Sequence, residues 1–223
     1  MNLPLGTPVL NLTGNVIDPT TSSQADNSTI ISTFGKQGEQ LASELHGRFY
    51  TAAYRGRTFT ARTAHGGAVV PVYTATAQTF AVINPSGSGV NLEMLRFRGD
   101  IAATGTAVIA ELYLNAVYGS AFTTLMGGTV TLIANGVQNM LVGAGANPKS
   151  QAASAVTSVN QADTYVTGLG CFPATAVTSA GSQIVMFFDG GLIIPPATCI
   201  FVTSLVAQTS IMHLEFTYNE LPV

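Results

Sequence analysis

Charge is scarce in this chain. Of 223 residues, eight are Lys or Arg and eleven are Asp or Glu, 9% in all, against about 25% in an average soluble domain. The shortage excludes the Glu- and Lys-rich coiled coils. With 47% hydrophobic residues, it also excludes the disordered class, which couples low hydrophobicity to high charge. A net charge of −3 excludes nucleic-acid binding by bulk charge. Tryptophan is absent, which removes the largest aromatic face a sugar platform can use. Cys171 and Cys199 are the only cysteines. Two make no disulfide framework, and both are expected as buried free thiols. No long hydrophobic run is left unbroken. The most apolar window, 184–206, is cut by Asp189-Gly190-Gly191 and Pro195-Pro196, so it reads as buried strands and not as a membrane span. The opening residues lack a basic n-region and are interrupted by Pro4 and Pro8; they do not read as a signal peptide.

Thr, Ser, Ala and Gly take the place of the missing charge. A free monomer normally keeps a surface of roughly 25–35% charged residues. A chain this neutral is expected to be oligomeric and structural, with much of its surface covered by partners. Its few charges are unevenly placed: −2 over residues 1–35, +4 over 36–98 and −5 over 99–223. Such polarity suits docking on an acidic neighbour or head-to-tail stacking. Arginines sitting wherever solvent is available would give the same count.

Three segments follow from the patterning. Residues 1–35, with Pro4, Pro8, Pro19 and a run of small polar residues, read as an extended arm that stays disordered or orders on a neighbour. Residues 36–66 read as a helix and connector. Leu41, Leu45, Phe49 and Ala53 share one face of a helix over 36–54, and Gly56 is placed to supply the left-handed C-terminal residue. From Gly67 to Val223 the period becomes two. Strands are expected at 69–76, 79–84, 90–98, 106–117, 128–134, 163–167, 183–188, 198–206 and in the last segment, where Met212, Leu214, Phe216 and Tyr218 alternate with polar residues. Turn clusters at 84–89, 127–128, 135–136, 189–191 and 195–196 separate them, and 142–161 reads as a long polar surface loop. The fold class expected is mainly β: an antiparallel jelly-roll sandwich preceded by the arm and one α-helix.

Strands 106–117 and 198–206 carry apolar residues on both faces; in the second, Ile200, Val202 and Val206 oppose Cys199, Phe201 and Leu205. A sandwich strand with one free face should alternate, so the outer face must be covered. A subunit interface would cover it, with Ile200 and Val202 as candidate residues. The packed helix and arm would also do so.

Nothing reads as a catalytic constellation. There is no G-x-S-x-G elbow, phosphate-binding loop or H-E-x-x-H. Gly87-Ser88-Gly89 precedes a strand and not a helix, so it reads as a hairpin turn. His213 and Glu215 share a strand face at a spacing that can hold a metal, but a third ligand is missing. Cys171 with His213 would be a nucleophilic pair lacking an activating context. No cofactor is implied. One segment interleaves cations with aromatics: Arg48, Phe49, Tyr50, Tyr54, Arg55, Arg57 and Phe59, with Arg62 beyond. Arg48, Tyr50, Tyr54, Arg55, Arg57 and Arg62 are the candidate interface set, since Tyr and Arg are enriched where proteins meet. A helix end packing its aromatics on the sheet gives the same pattern, and a single-stranded nucleic-acid surface is the least supported reading.

A resemblance rests on particular residues: Glu44-Leu45-His46-Gly47-Arg48-Phe49-Tyr50, Tyr54-Arg55-Gly56 and Phe59; Asn84-Pro85-Ser86-Gly87-Ser88-Gly89-Val90-Asn91-Leu92; Leu192-Ile193-Ile194-Pro195-Pro196-Ala197-Thr198; and the closing Glu215-Phe216 and Glu220-Leu221-Pro222-Val223. Over most of 40–223 the chain resembles virion structural proteins of tailed bacteriophages, of the capsid decoration or cement type. The resemblance implies a jelly roll of tumour-necrosis-factor-like shape, a homo-oligomer and most often a trimer. The implied partners are further copies of itself and the major capsid protein or another virion protein, with no membrane and no direct nucleic-acid contact. It offers no catalytic residues, and it implies a place in the phage particle after synthesis in the host cytoplasm. The alternative is a tail-associated adhesin binding host glycan, with the loop at 142–161 carrying recognition.

Overall fold

The structure, a computed structural model, describes residues 13–15, 29–31, 49–103, 110–143, 147–157, 164–172 and 182–223. The chain divides into two compact units, residues 1–55 and 56–223. In the first, β1 (Thr13–Asn15) pairs antiparallel with β2 (Thr29–Ile31), Thr13 opposite Ile31. These two pieces of the arm therefore pair with each other. The helix expected over 36–54 falls on described residues only at its end. There α1 (Tyr50–Tyr54) is helical, with Ala53 N donating to Phe49 O at 3.0 Å.

The second unit is a sandwich of two antiparallel sheets. Its strands are β3 (Thr58–Arg62), β4 (Ala68–Val69), β5 (Ala81–Asn84), β6 (Val90–Ala103), β7 (Ala110–Tyr118), β8 (Val130–Leu132), β9 (Val137–Asn139), β10 (Gln151–Val156), β11 (Tyr165–Phe172), β12 (Gln183–Ile194), β13 (Thr198–Ser204) and β14 (Ile211–Pro222). One helix, α2 (Gly119–Met126), follows β7. The first sheet runs β11-β7-β13-β5-β10-β8; the second runs β12-β6-β14-β3-β9, with β4 also on β14. The Gly56 backbone, at φ 67°, takes the left-handed conformation ahead of β3.

The core lies between the sheets. On β14, Met212, Leu214, Phe216 and Tyr218 are all buried, as the period-two pattern requires. Phe97 and Phe80 pack on Phe216 with ring centroids 5.0 and 6.1 Å apart, and Phe59 stacks on Tyr218 at 6.4 Å. Each such ring contributes about 1.5–3 kcal/mol relative to exposure.

Several expectations change. The two-residue period begins at Thr58, inside the expected connector, because β3 pairs with β14 along Glu215↔Arg62 to Asn219↔Thr58. Asp189-Gly190-Gly191 is no turn but a bulge within β12: Phe187 and Leu192 pair with Arg96 and Met94, so four residues face one. The 84–89 turn joins β5 to β6, which lie in different sheets; it crosses the sandwich and makes no hairpin. The expected loop at 142–161 contains β10, which lies beside β5 with Ala152, Ala153 and Val156 buried. Of the expected strand 69–76 only Val69, the end of β4, is strand.

Over β13 the doubly apolar segment 198–206 receives a cover from the chain itself, while Leu205 and Val206 beyond it stay exposed. Every residue of β13 is buried. Ile200 and Val202 point into the core between the sheets, while Cys199 and Phe201 join Val117, Ile83 and Ala153 in a second cluster under Phe122 and Leu125 of α2. Ile200 and Val202 are 0% and 1% exposed. They are core residues, which corrects their candidacy as an interface.

Candidate functional site

The outer face of the second sheet gathers cations. On β6, Phe97, Gly99 and Ile101 turn inward, which puts Arg96, Arg98 and Asp100 on the outside. On β14 the same alternation puts His213, Glu215 and Thr217 on that face, the first two half-buried and Thr217 covered, and Arg62 ends β3 exposed. Register then sets two rows. Val185 on β12, Arg98, Glu215 and Arg62 lie side by side across four strands. Phe187, Arg96, Thr217, Thr60 and Gln138 form the next row, ending on β9. Arg96 Nη2 donates to Glu215 Oε1 at 2.7 Å and to Thr217 Oγ1 at 3.4 Å; Arg98 Nε lies 2.9 Å from Asp100 Oδ2. Both pairs are partly solvated, so each contributes under about 1 kcal/mol. The Arg62 guanidinium has no partner among the described residues.

This face is the floor of a cleft of about 840 Å³. Its wall is the β8–β9 turn and the residues on either side of 144–146. In the turn, Gly136 N donates to Ile133 O at 3.0 Å, and Asn135 takes φ 55°, as the third residue of a type II turn must. A side chain at Gly136 would come within 2.7 Å of Ile133 Cβ and 2.9 Å of Ala152 Cβ. The other side of the wall is held by Glu220. Its buried carboxylate accepts from Lys149 N at 2.9 and 3.0 Å, Ser150 N at 2.9 Å and Ser150 Oγ at 2.7 Å. Tyr218 OH lies 2.6 Å from the same hydroxyl, and burial pushes its phenol well above the ordinary range. A smaller recess of about 420 Å³ shares Arg62, Arg98 and Glu215 and adds His65, His213 and Asp100.

The sequence-derived interface set disperses. Arg48 lies outside the described residues, as does the Tyr50 side chain. Tyr54 ends α1 and is exposed, and Arg55 follows it. Arg57 precedes β3 half-buried, with Nη1 covered and unbonded among the described residues. Arg62 alone reaches the cleft, in company with Arg96, Arg98 and Glu215, which the sequence reading had not joined to it. Their outward alternation is legible in the sequence; the register that brings Arg62 opposite Glu215 is not.

Among the described residues, no three His, Cys, Asp or Glu side chains are grouped to hold a metal. Cys171 sits on β11 of the first sheet and His213 on β14 of the second. Only Cys199 is buried, its thiol pushed up to about 12 by desolvation, while Cys171 is exposed. That corrects the expectation of two buried thiols. No protein-family model, curated protein or solved structure matches the chain.

A second surface lies at the opposite edge of the same sheet. No strand flanks the outer side of β12 among the described residues. Its outward residues include Val185, Phe187 and Ile193, exposed by 43%, 66% and 45%. An apolar cleft of about 520 Å³ continues this strip past Val166, Tyr118, Pro195 and Pro196.

Proposed function

We propose that the chain is a structural protein of a bacteriophage particle, a capsid decoration or cement protein that binds and stabilises the shell as a homotrimer. The observation that carries this reading is the apolar strip on β12. A long edge strand with exposed Val, Phe and Ile is an aggregation hazard unless another surface covers it. In a chain with so few charges, a second copy is the economical cover. The strand order supports the reading: β12-β6-β14-β3 in one sheet and β11-β7-β13-β5 in the other suit an eight-stranded jelly roll. Bound copies would raise shell stability by mass action, since they bind the assembled shell and not its dissociated subunits. Imaging particles with and without the protein tests the proposal. Density on the head at subunit junctions, with raised thermal release of the genome on removal, is expected; density confined to the tail would overturn it.

One observation favours the adhesin reading. Exposed Tyr165 meets Tyr113 edge-on at 5.6 Å, and a hydrogen bond to Glu111 holds the Tyr113 phenol above its ordinary value. Aromatic faces beside a carboxylate suit sugar recognition. Glycan-array binding that is lost in Tyr165→Ala would favour that role.

A further inference from the structure

We infer that the cleft on the second sheet is a docking site for an acidic, amphipathic peptide segment of another protein. The argument is charge complementarity combined with the shape of the apolar surface. The floor presents three guanidiniums, Arg62, Arg96 and Arg98, against one carboxylate, Glu215. These are three of the five cations in residues 56–223, a unit that carries seven acids. Arg62 has no partner among the described residues, and the ion pairs of Arg96 and Arg98 are weak enough to be exchanged for a ligand's carboxylates. The wall beside the floor exposes apolar side chains: Leu132 by 49%, Met140 by 47% and Val142 by 93%. The occupant therefore carries both anionic and aliphatic side chains. A single phosphate or sulfate would fill a small part of 840 Å³ and leave the wall unused. Among the described residues no Trp, Tyr, Phe or His lines this cleft, so none of them gives sugar or base stacking a platform. A chain segment alternating carboxylates with aliphatic residues uses floor and wall at once.

The inference deepens the particle reading by giving the chemistry of the shell partner. It rests on that reading for the partner's source, and not for the cleft itself. The full chain should be titrated by fluorescence anisotropy with two fluorescein-labelled peptides of twelve residues. One alternates Glu with Val; the other alternates Gln with Val. Binding of the Glu peptide is expected to weaken by about tenfold as salt rises from about 0.05 to 0.3 M, because exposed charge pairs are screened. Arg62→Gln should weaken it by about three- to tenfold, with an unchanged melting temperature, since its guanidinium bonds no described residue. Failure of the Glu peptide to bind overturns the inference. So does equal binding of both peptides, or indifference to Arg62→Gln. Particle attachment is then measured with the same variant. Peptide binding lost while particle attachment is kept supports the cleft and removes the shell as its partner.

Discussion

Glu220 is a carboxylate taken out of water and given back its hydrogen bonds by two residues, Lys149 and Ser150. Because the Ser150 hydroxyl donates to Glu220 at 2.7 Å, Tyr218 OH must be the donor in the 2.6 Å contact with Ser150. The relay runs from phenol to hydroxyl to carboxylate and ties the cleft wall to β14. Glu220→Gln keeps the shape but turns one acceptor into a donor that faces the Lys149 amide. A loss of about 1–3 kcal/mol is expected, because an unmatched buried donor costs its full desolvation. In thermal unfolding that is about 2–4 °C per kcal/mol for a chain of this size. An unshifted melting temperature would show that the relay does not hold the wall. Cys199 makes the second prediction at this scale. Its thiol sits near 12 when folded, against 9.0 for the ordinary group. Between those values the unfolded chain has released the proton and the folded chain keeps it, so stability falls as pH rises from about 9 towards 12, by up to about 1.4 kcal/mol per unit. Below 9 the contribution is fully present. Cys199→Ala should flatten this alkaline loss in denaturant titrations, and in the folded wild type a thiol reagent should modify Cys171 alone.

Among the elements, α2 separates what the sequence shows from what it hides. The double apolar pattern of 198–206 is plain in the sequence, and so is the need for a cover. The cover itself is not. Residues 119–126 carry only two buried side chains, Phe122 and Leu125, one turn apart, in a run of small and hydroxylated residues that gives a weak helical signal. Likewise the alternation of β14 was legible because each residue is dictated by the core. The Asp189-Gly190-Gly191 bulge looks like a turn in the sequence because both features need positive φ, here 48° and 81° at the first two positions. A side chain at Gly190 would run into the Glu93 carboxylate, which hydrogen-bonds Asn219 at 2.7 Å. That constraint lies across strands and is invisible along the chain. For the same reason the sequence groups Arg62 with a helix end, whereas the register sets it beside Glu215 in the row of Arg98. If α2 is the cover, Phe122→Ala should cost about 3–5 kcal/mol and expose Phe201 to a hydrophobic dye before global unfolding. A cost below about 1 kcal/mol would mean that α2 lies on the sheet without stabilising it.

For the whole molecule, the open question is what covers β12. The strand is twelve residues long, unflanked on one side among the described residues, and apolar outward at Val185, Phe187 and Ile193. Protected edges usually carry an inward charge, a proline, a bulge or a short strand; β12 has the bulge at 189–191, which leaves Val185 and Phe187 before it and Ile193 after it exposed. Phe187 is 66% exposed, so it contributes little to the sandwich core, and a charge there leaves the fold intact. At a self-association surface the same residue would be desolvated, and a carboxylate would oppose burial by several kcal/mol. Phe187→Glu should therefore convert a defined multimer into a 23.0 kDa monomer in sedimentation, with unchanged far-ultraviolet circular dichroism. Val142→Glu, on the wall of the basic cleft, should leave the multimer whole. If the wild-type chain sediments as a monomer at micromolar concentration, or Phe187→Glu stays multimeric, then β12 is not where copies of this chain meet.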